Sequence, residues 1–182
     1  MTIDKLLMLV EDDPEINASL ELLALRYFGA DTDVELCVGQ NIQQIIDLLA
    51  GYVESIPQAK LYAVLDYNLS INLPGEQKPV EALFYHAHFR HFLKNGGIII
   101  IYNGYPEQLR QSNEILATPS RYPDIAFFTA EKAKVAMEDI FKIIKAAVPE
   151  KLPEIRRQAN HFQHDLEAML HAIRTRKESM RT

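Results

Sequence analysis

The sequence predicts an α/β fold: a five-stranded, doubly wound parallel sheet with a C-terminal helical extension. Three observations carry that prediction. Apolar runs of strand length recur at residues 6–10, 34–38, 61–65, 98–102 and 125–129, and each is followed by a stretch long enough to be helical. Regular alternation of strand and helix is the pattern of a parallel sheet joined by right-handed helical crossovers. The run 61–65, Leu-Tyr-Ala-Val-Leu, is apolar without interruption and ends in Asp66. A strand of that kind is buried on both faces, so helices should cover both sides of the sheet. Ligands gather at the carboxyl ends of such strands, which puts Asp66 at the lip.

Taken in order, residues 6–10 are closed by three acids, Glu11, Asp12 and Asp13. Pro14 stands at a first helical position with Asp13 as cap, and Ile16, Leu20, Leu23 and Tyr27 recur at helical spacing. A helix over 14–28 follows, ended by Gly29. Val34, Leu36 and Val38 alternate as a second strand, which Gly39 breaks. Asn41 caps a second helix carrying Ile42, Ile45, Ile46 and Leu49 and running past Tyr52. An irregular loop is expected over 70–79, with Asn72, Pro74 and Gly75 as turn formers. One helix should span 80–94. Asn95-Gly96-Gly97 then turns into 98–102, the most strand-like run in the chain, ended by Asn103-Gly104. A fourth helix is expected near 106–116, then a loop to Pro123. The strand 125–129 and a helix over 133–148, with Ala136, Ile140, Ile143, Ile144 and Ala147 on one face, complete the repeat.

Pro149 and Pro153 bracket a break, which divides the chain into 1–148 and 149–182. Residues 153–178 read as one separate helix. Its apolar positions Ile155, Ala159, Phe162, Leu166, Met169 and Ile173 step alternately by four and three, an a/d seam. Such a seam must be buried, against the domain or against a second copy, and a homodimer through this helix is the expectation.

Composition narrows the functional classes. With 182 residues, 48% of them hydrophobic, the chain has apolar material for one core of common size. A formal net charge of -6 offers no broad basic surface to nucleic acid or to an anionic membrane. The lone Cys37, in an alternating apolar segment, reads as a small core residue. The N-terminus carries no basic n-region, and the run 6–10 is too short for a signal peptide or a membrane span, so the chain reads as cytoplasmic.

Three strands end in polar chemistry: the first in Glu11-Asp12-Asp13, the third in Asp66, the fourth in Asn103. Any one of these acids alone is as readily a helix cap. Carboxylates crowded at one lip repel one another unless a cation joins them, and a hard divalent ion, Mg²⁺ or Mn²⁺, takes oxygen ligands. Such an ion beside a carboxylate is what phosphoryl transfer to an Asp requires.

At these residues the chain resembles the receiver domains of two-component response regulators, over residues 4–148. Leu-Met-Leu-Val-Glu11-Asp12-Asp13-Pro14-Glu-Ile is similar to the family's first-strand motif. Asp66, with Asn68 two residues on, looks like the phosphoacceptor and the residue whose main-chain carbonyl joins the metal. The resemblance implies the flavodoxin-like strand order 2-1-3-4-5. It implies Mg²⁺ (or Mn²⁺) at Glu11, Asp12, Asp66 and Asn68, with Asp12 a direct ligand and Glu11 acting through water. It further implies that Asp66 accepts a phosphoryl group from a histidine kinase or phosphotransfer protein, and that a downstream protein partner reads the result. Self-phosphotransfer aside, no enzyme activity is implied.

The chain departs from the family where the phosphoryl group is sensed. The family's Thr or Ser at the end of strand four is Asn103 here, its lysine after strand five is Ala130, and its proline after the phosphoacceptor is Ser70. Lys132 would have to reach over from two residues further on, and the expectation is that it does not. Phe127 stands near the family's aromatic switch position and reads equally well as a core residue. Two rival readings remain: a receiver-like scaffold that works without phosphorylation, and, more weakly, a phosphotransferase of haloacid-dehalogenase type, which position 68 argues against. His86, His88 and His91 are expected on a polar helix face, with His88 and His91 sharing a side. His161, His164 and His171 fall in the mildly basic tail, which is too short for a helix-turn-helix output domain.

Overall fold

In the computed structural model, which describes residues 2–70, 77–104 and 106–182, five strands form one parallel sheet: β1 (Lys5–Val10), β2 (Val34–Gly39), β3 (Lys60–Leu65), β6 (Gly97–Asn103) and β7 (Ile125–Glu131). Their order is β2-β1-β3-β6-β7, the predicted 2-1-3-4-5 arrangement. Each central strand is buried on both faces, and its side chains divide by alternation into two cores. Leu6, Met8, Leu61, Ala63, Ile99, Ile101 and Phe127 pack under α2 (Ile42–Ser55) and α4 (Ala87–Asn95). Leu7, Leu9, Tyr62, Val64, Ile98, Ile100 and Phe128 pack under α1 (Pro14–Phe28) and α8 (Met137–Ala146). Cys37 is buried in the first core, and burial pushes its thiol up to about 12. Among the described residues no helix is long and apolar enough to cross a membrane.

The predicted helix starts hold. Asp13 accepts the N–H groups of Glu15 and Ile16, and Asn41 accepts that of Gln44. Four expectations are corrected. The loop after β3 opens and closes as an antiparallel pair, β4 (Asn68–Ser70) with β5 (Gln77–Pro79). The expected turn formers Asn72, Pro74 and Gly75 lie outside the described residues. The single helix over 80–94 is two, α3 (Glu81–Phe84) and α4, because His86 leaves helical geometry and its Nδ1 accepts the His88 N–H. Its apolar spacing survives the break, since Leu83, Phe84, Phe89, Phe92 and Leu93 are all buried. His88 and His91 stand three residues apart within α4, as the spacing predicts; His91 Nε2 donates to the Pro57 carbonyl at 2.7 Å, and the rings of His86 and His88 lie 4.9 Å apart. The helix near 106–116 is a chain of single turns, α5 (Pro106–Leu109), α6 (Asn113–Leu116) and α7 (Thr118–Arg121).

The tail is the fourth correction. Instead of one helix it forms α9 (Leu152–His161) and α10 (Leu166–Ser179), joined by an elbow in which Gln163 and His164 take left-handed conformations, φ 51° and 66°. The elbow breaks the helix because its polar groups serve the exposed side of β7. Thr129 N–H donates to the His164 carbonyl at 2.8 Å, and His164 Nδ1 donates to the Phe127 carbonyl at 3.0 Å. Asp165 bridges to Thr129 and caps α10. An edge strand is thereby covered. The seam is buried against the chain's own sheet: Ala159, Leu166 and Met169 lie in the α1–α8 core, with Ile155, Phe162 and Ile173 packed beside them.

Gly97 shows how closely β3 and β6 approach. Its φ is 136°, and a Cβ there would lie 1.9 Å from the Leu61 carbonyl oxygen. Gly97→Ala should therefore cost about 2–4 kcal/mol in a urea unfolding titration, far more than an alanine at the open Gly51 position.

Candidate functional site

Val10 of β1 pairs with Leu65 of β3, so the next residue of each strand, Glu11 and Asp66, emerge side by side. Asp66 N–H donates to the Val10 carbonyl at 2.9 Å, carrying the ladder one step past the strands. The winding of the sheet reverses between β1 and β3, which is where open α/β sheets leave a crevice. The turn from β1 into α1 is held from below. Asn17 donates to the Glu11 carbonyl at 2.9 Å and to the Gly39 carbonyl at 3.0 Å, and Asp13 N–H donates to Glu11 Oε1 at 3.1 Å. Asp13 is committed to its cap, so Glu11 and Asp12 are the acids that face the lip.

One carboxylate oxygen from each of Glu11, Asp12 and Asp66 lies within 4.8 Å of the others. Glu11 is 2% exposed and Asp66 9%, while Asp12 is half-buried. Among the described residues no other group of three potential ligands gathers in this way.

A cation already joins two of them, from a residue that the sequence reading set aside. β7 runs on to Glu131, and Lys132 follows with its N–H bonded to the Asn103 carbonyl at 2.8 Å. Its Nζ reaches Glu11 Oε2 at 2.6 Å and Asp66 Oδ1 at 3.3 Å. The expectation of a site without its amine is thus corrected. Ala130 stands level with Tyr102 of β6, and Lys132, two residues on, projects to the same side of the sheet. The lysine stem is long enough to cover the distance back. Parity was the signal: 130 and 132 differ by one strand repeat, whereas 131 would face away.

The same parity decides the end of β6. Asn103 continues the side of Ile99 and Ile101, away from Asp66, and lines a cleft there with Thr129 and Glu131. Its main-chain carbonyl accepts the Lys132 N–H. The side chain on the Asp66 side is Tyr102, missed by the sequence reading. Its ring lies 5.9 Å from Lys132 Nζ, and its hydroxyl donates to the Val135 carbonyl at 2.9 Å. Asn68 follows Asp66 into the β4–β5 pair, and its side-chain amide donates to Gln108 of α5. Phe127 is a buried member of the α2–α4 core, edge-on to the His164 ring at 5.9 Å.

Burial, and after it the charge of Glu11, pushes Asp66 up to about 7, although Lys132 pulls the other way. Burial would lower the Lys132 amine, but its bond to Glu11 and the charge of Asp66 outweigh that and hold it above its ordinary value. Three ionised carboxylates against one ammonium leave two negative charges, the complement of a single divalent ion. An all-oxygen donor set in which one acid resists ionising fits a hard dication. Compared with known proteins, the chain matches no family model and no curated sequence.

Two outcomes follow from this electrostatics. A carboxylate whose folded-state pKa lies above its unfolded value favours the folded state when protonated. Its contribution is therefore full below about pH 4 and is lost as pH rises towards 7. Asp66→Asn should abolish that loss and stabilise the metal-free protein at pH 8 by roughly 2 kcal/mol in thermal unfolding. Lys132→Met strands a buried Glu11 and should destabilise the metal-free protein by about 2–3 kcal/mol, with Mg²⁺ or Mn²⁺ restoring part of the loss in the same measurement.

Proposed function

We propose that this chain is a phosphoacceptor receiver module, in which Asp66 takes a phosphoryl group in the presence of Mg²⁺ and the result is read by protein contact. The observation that carries the reading is the Lys132 amine bridging Glu11 and Asp66 at the sheet's switch point. With Asp12 it completes a site of two acids and one amine around the Asp66 carboxylate.

Asp66 supplies the nucleophile. An Oδ of its ionised carboxylate attacks phosphorus, the bond from phosphorus to the donor nitrogen or oxygen breaks, and the electron pair leaves with the donor. A divalent ion held by Glu11, Asp12 and Asp66 would neutralise charge on the phosphoryl oxygens. Lys132 is placed to exchange its 3.3 Å contact with Asp66 for one of those oxygens, a charge-assisted hydrogen bond at the developing charge. Tyr102 backs the lysine with its ring. The donor class is a phosphohistidine on a kinase or phosphotransfer protein. A second reading, a scaffold that works without phosphorylation, is favoured by the same Lys132, because its ammonium offsets part of the acidic charge before any metal arrives.

One experiment separates them. Incubation with a small-molecule acyl phosphate or phosphoramidate and Mg²⁺ should add one phosphoryl group by intact mass. The adduct should be labile to hydroxylamine and absent in Asp66→Ala. Lys132→Ala should slow its formation on the order of 10²-fold. No adduct at any Mg²⁺ concentration leaves the scaffold reading.

A further inference from the structure

The amine that serves the acidic lip comes from a turn. Residues 131–135 lead from β7 towards α8, and the Glu131 carbonyl accepts the N–H groups of Lys134 and Val135, both at 3.0 Å. Ala136 opens α8 with no side-chain cap of its own. The Lys132 stem has many rotamers, so holding its ammonium in one place is costly in entropy. At a reacting centre a charge misplaced by about 1 Å loses much of its effect. A fixed element outside the turn has to supply the aim.

The end of β6 supplies it twice. At the start of the turn the Asn103 carbonyl accepts the Lys132 N–H at 2.8 Å. At its end the Tyr102 hydroxyl donates to the Val135 carbonyl at 2.9 Å. Two consecutive residues of a central strand, one through its main chain and one through its side chain, thus clamp both ends of the turn. The Tyr102 ring lies 5.9 Å from Lys132 Nζ, within the range of cation–π attraction. Tyr102 is buried, and burial pushes its hydroxyl up, so it stays protonated and keeps donating.

We infer that Tyr102 is the positioning residue of this site: its hydroxyl ties the Lys132 turn to β6, and its ring confines the ammonium beside Glu11 and Asp66. Tyr102 acts through the lysine. The two contributions are separable, because Tyr102→Phe keeps the ring and removes the donor to Val135, whereas Tyr102→Leu removes both. The kinetic consequence rests on the phosphoacceptor reading given above; the restraint on the lysine does not.

The restraint is read first, by NMR on the full metal-free chain carrying ¹³C-labelled lysine and without phosphodonor. The ε-methylene signals of Lys132 are assigned by their loss in Lys132→Arg. A held stem should give two distinct ε-proton shifts in the wild type. Tyr102→Leu should merge them at the position of a free lysine, and Tyr102→Phe should narrow the gap. The rate is read second, with an acyl phosphate and Mg²⁺. Tyr102→Leu should slow adduct formation on the order of tenfold and Tyr102→Phe about threefold. In a Lys132→Ala background the same two changes should alter the rate less than about twofold, since a residue that acts through the lysine then has nothing to place. Equal losses with and without Lys132 mark a merely structural role and overturn the proposal. So do Lys132 signals that are already merged in the wild type, or that neither variant changes. A wild type that forms no adduct overturns the phosphoacceptor reading alone, and the NMR comparison then decides the role of Tyr102. Should Tyr102→Leu fail to fold, Tyr102→Phe carries both measurements.

Discussion

Glu11 and Asp66 are neighbours because β1 and β3 pair residue for residue, and the backbone ladder continues through the Asp66 N–H before the strands part. Two acids are thereby fixed almost out of water, with Asp12 at their side and one amine between them. Neither acid can move away without undoing hydrogen bonds of the central sheet. Their mutual repulsion must be answered by protonation, by Lys132 or by a bound cation. The raised pKa of Asp66, the rise on Lys132 and the fit to a dication are three expressions of that one constraint.

The remainder of the fold holds this lip in place. Asn17 braces the β1–α1 turn, and α1 and α8 cover the face on which Glu11, Asp66, Tyr102 and Lys132 project. The tail contributes from the far edge. Its elbow bonds to Thr129 and Phe127, within a few residues of Lys132, so the strand that presents the amine is pinned on both sides, to β6 and to the tail. The left-handed residues Gln163 and His164 serve that contact.

Most of the sheet was legible because its signals are local. Strand-length apolar runs, the Asp13–Pro14 helix start, the Asn41 cap and the seam spacing of the tail each depend on residues a few positions apart, and each appears where expected. The helix over 80–94 and the tail helix were half right. Their apolar positions are buried as the periodicity demands, yet each chain breaks where a histidine bonds elsewhere, His86 to its own helix start and His164 to β7. Periodicity reports which residues face a core and is blind to a polar group that leaves the helix for a partner remote in sequence.

The acidic half of the site could be read from the chain, since Glu11, Asp12 and Asp66 stand at the ends of apolar strands. The base half could not. Assigning it requires knowing where β6 and β7 stop and how they pair, because one residue of shift exchanges Tyr102 for Asn103 and Lys132 for Glu131 on the face that matters. By itself the sequence determined the α/β class, the strand positions and the acidic residues, all consequences of hydrophobic spacing along the chain. Only the tertiary structure decided which amine meets them, which residue closes the end of β6, and that the seam of the tail rests on β7. Those outcomes depend on lateral register and side-chain reach across strands, and neither is written in the spacing of a single segment.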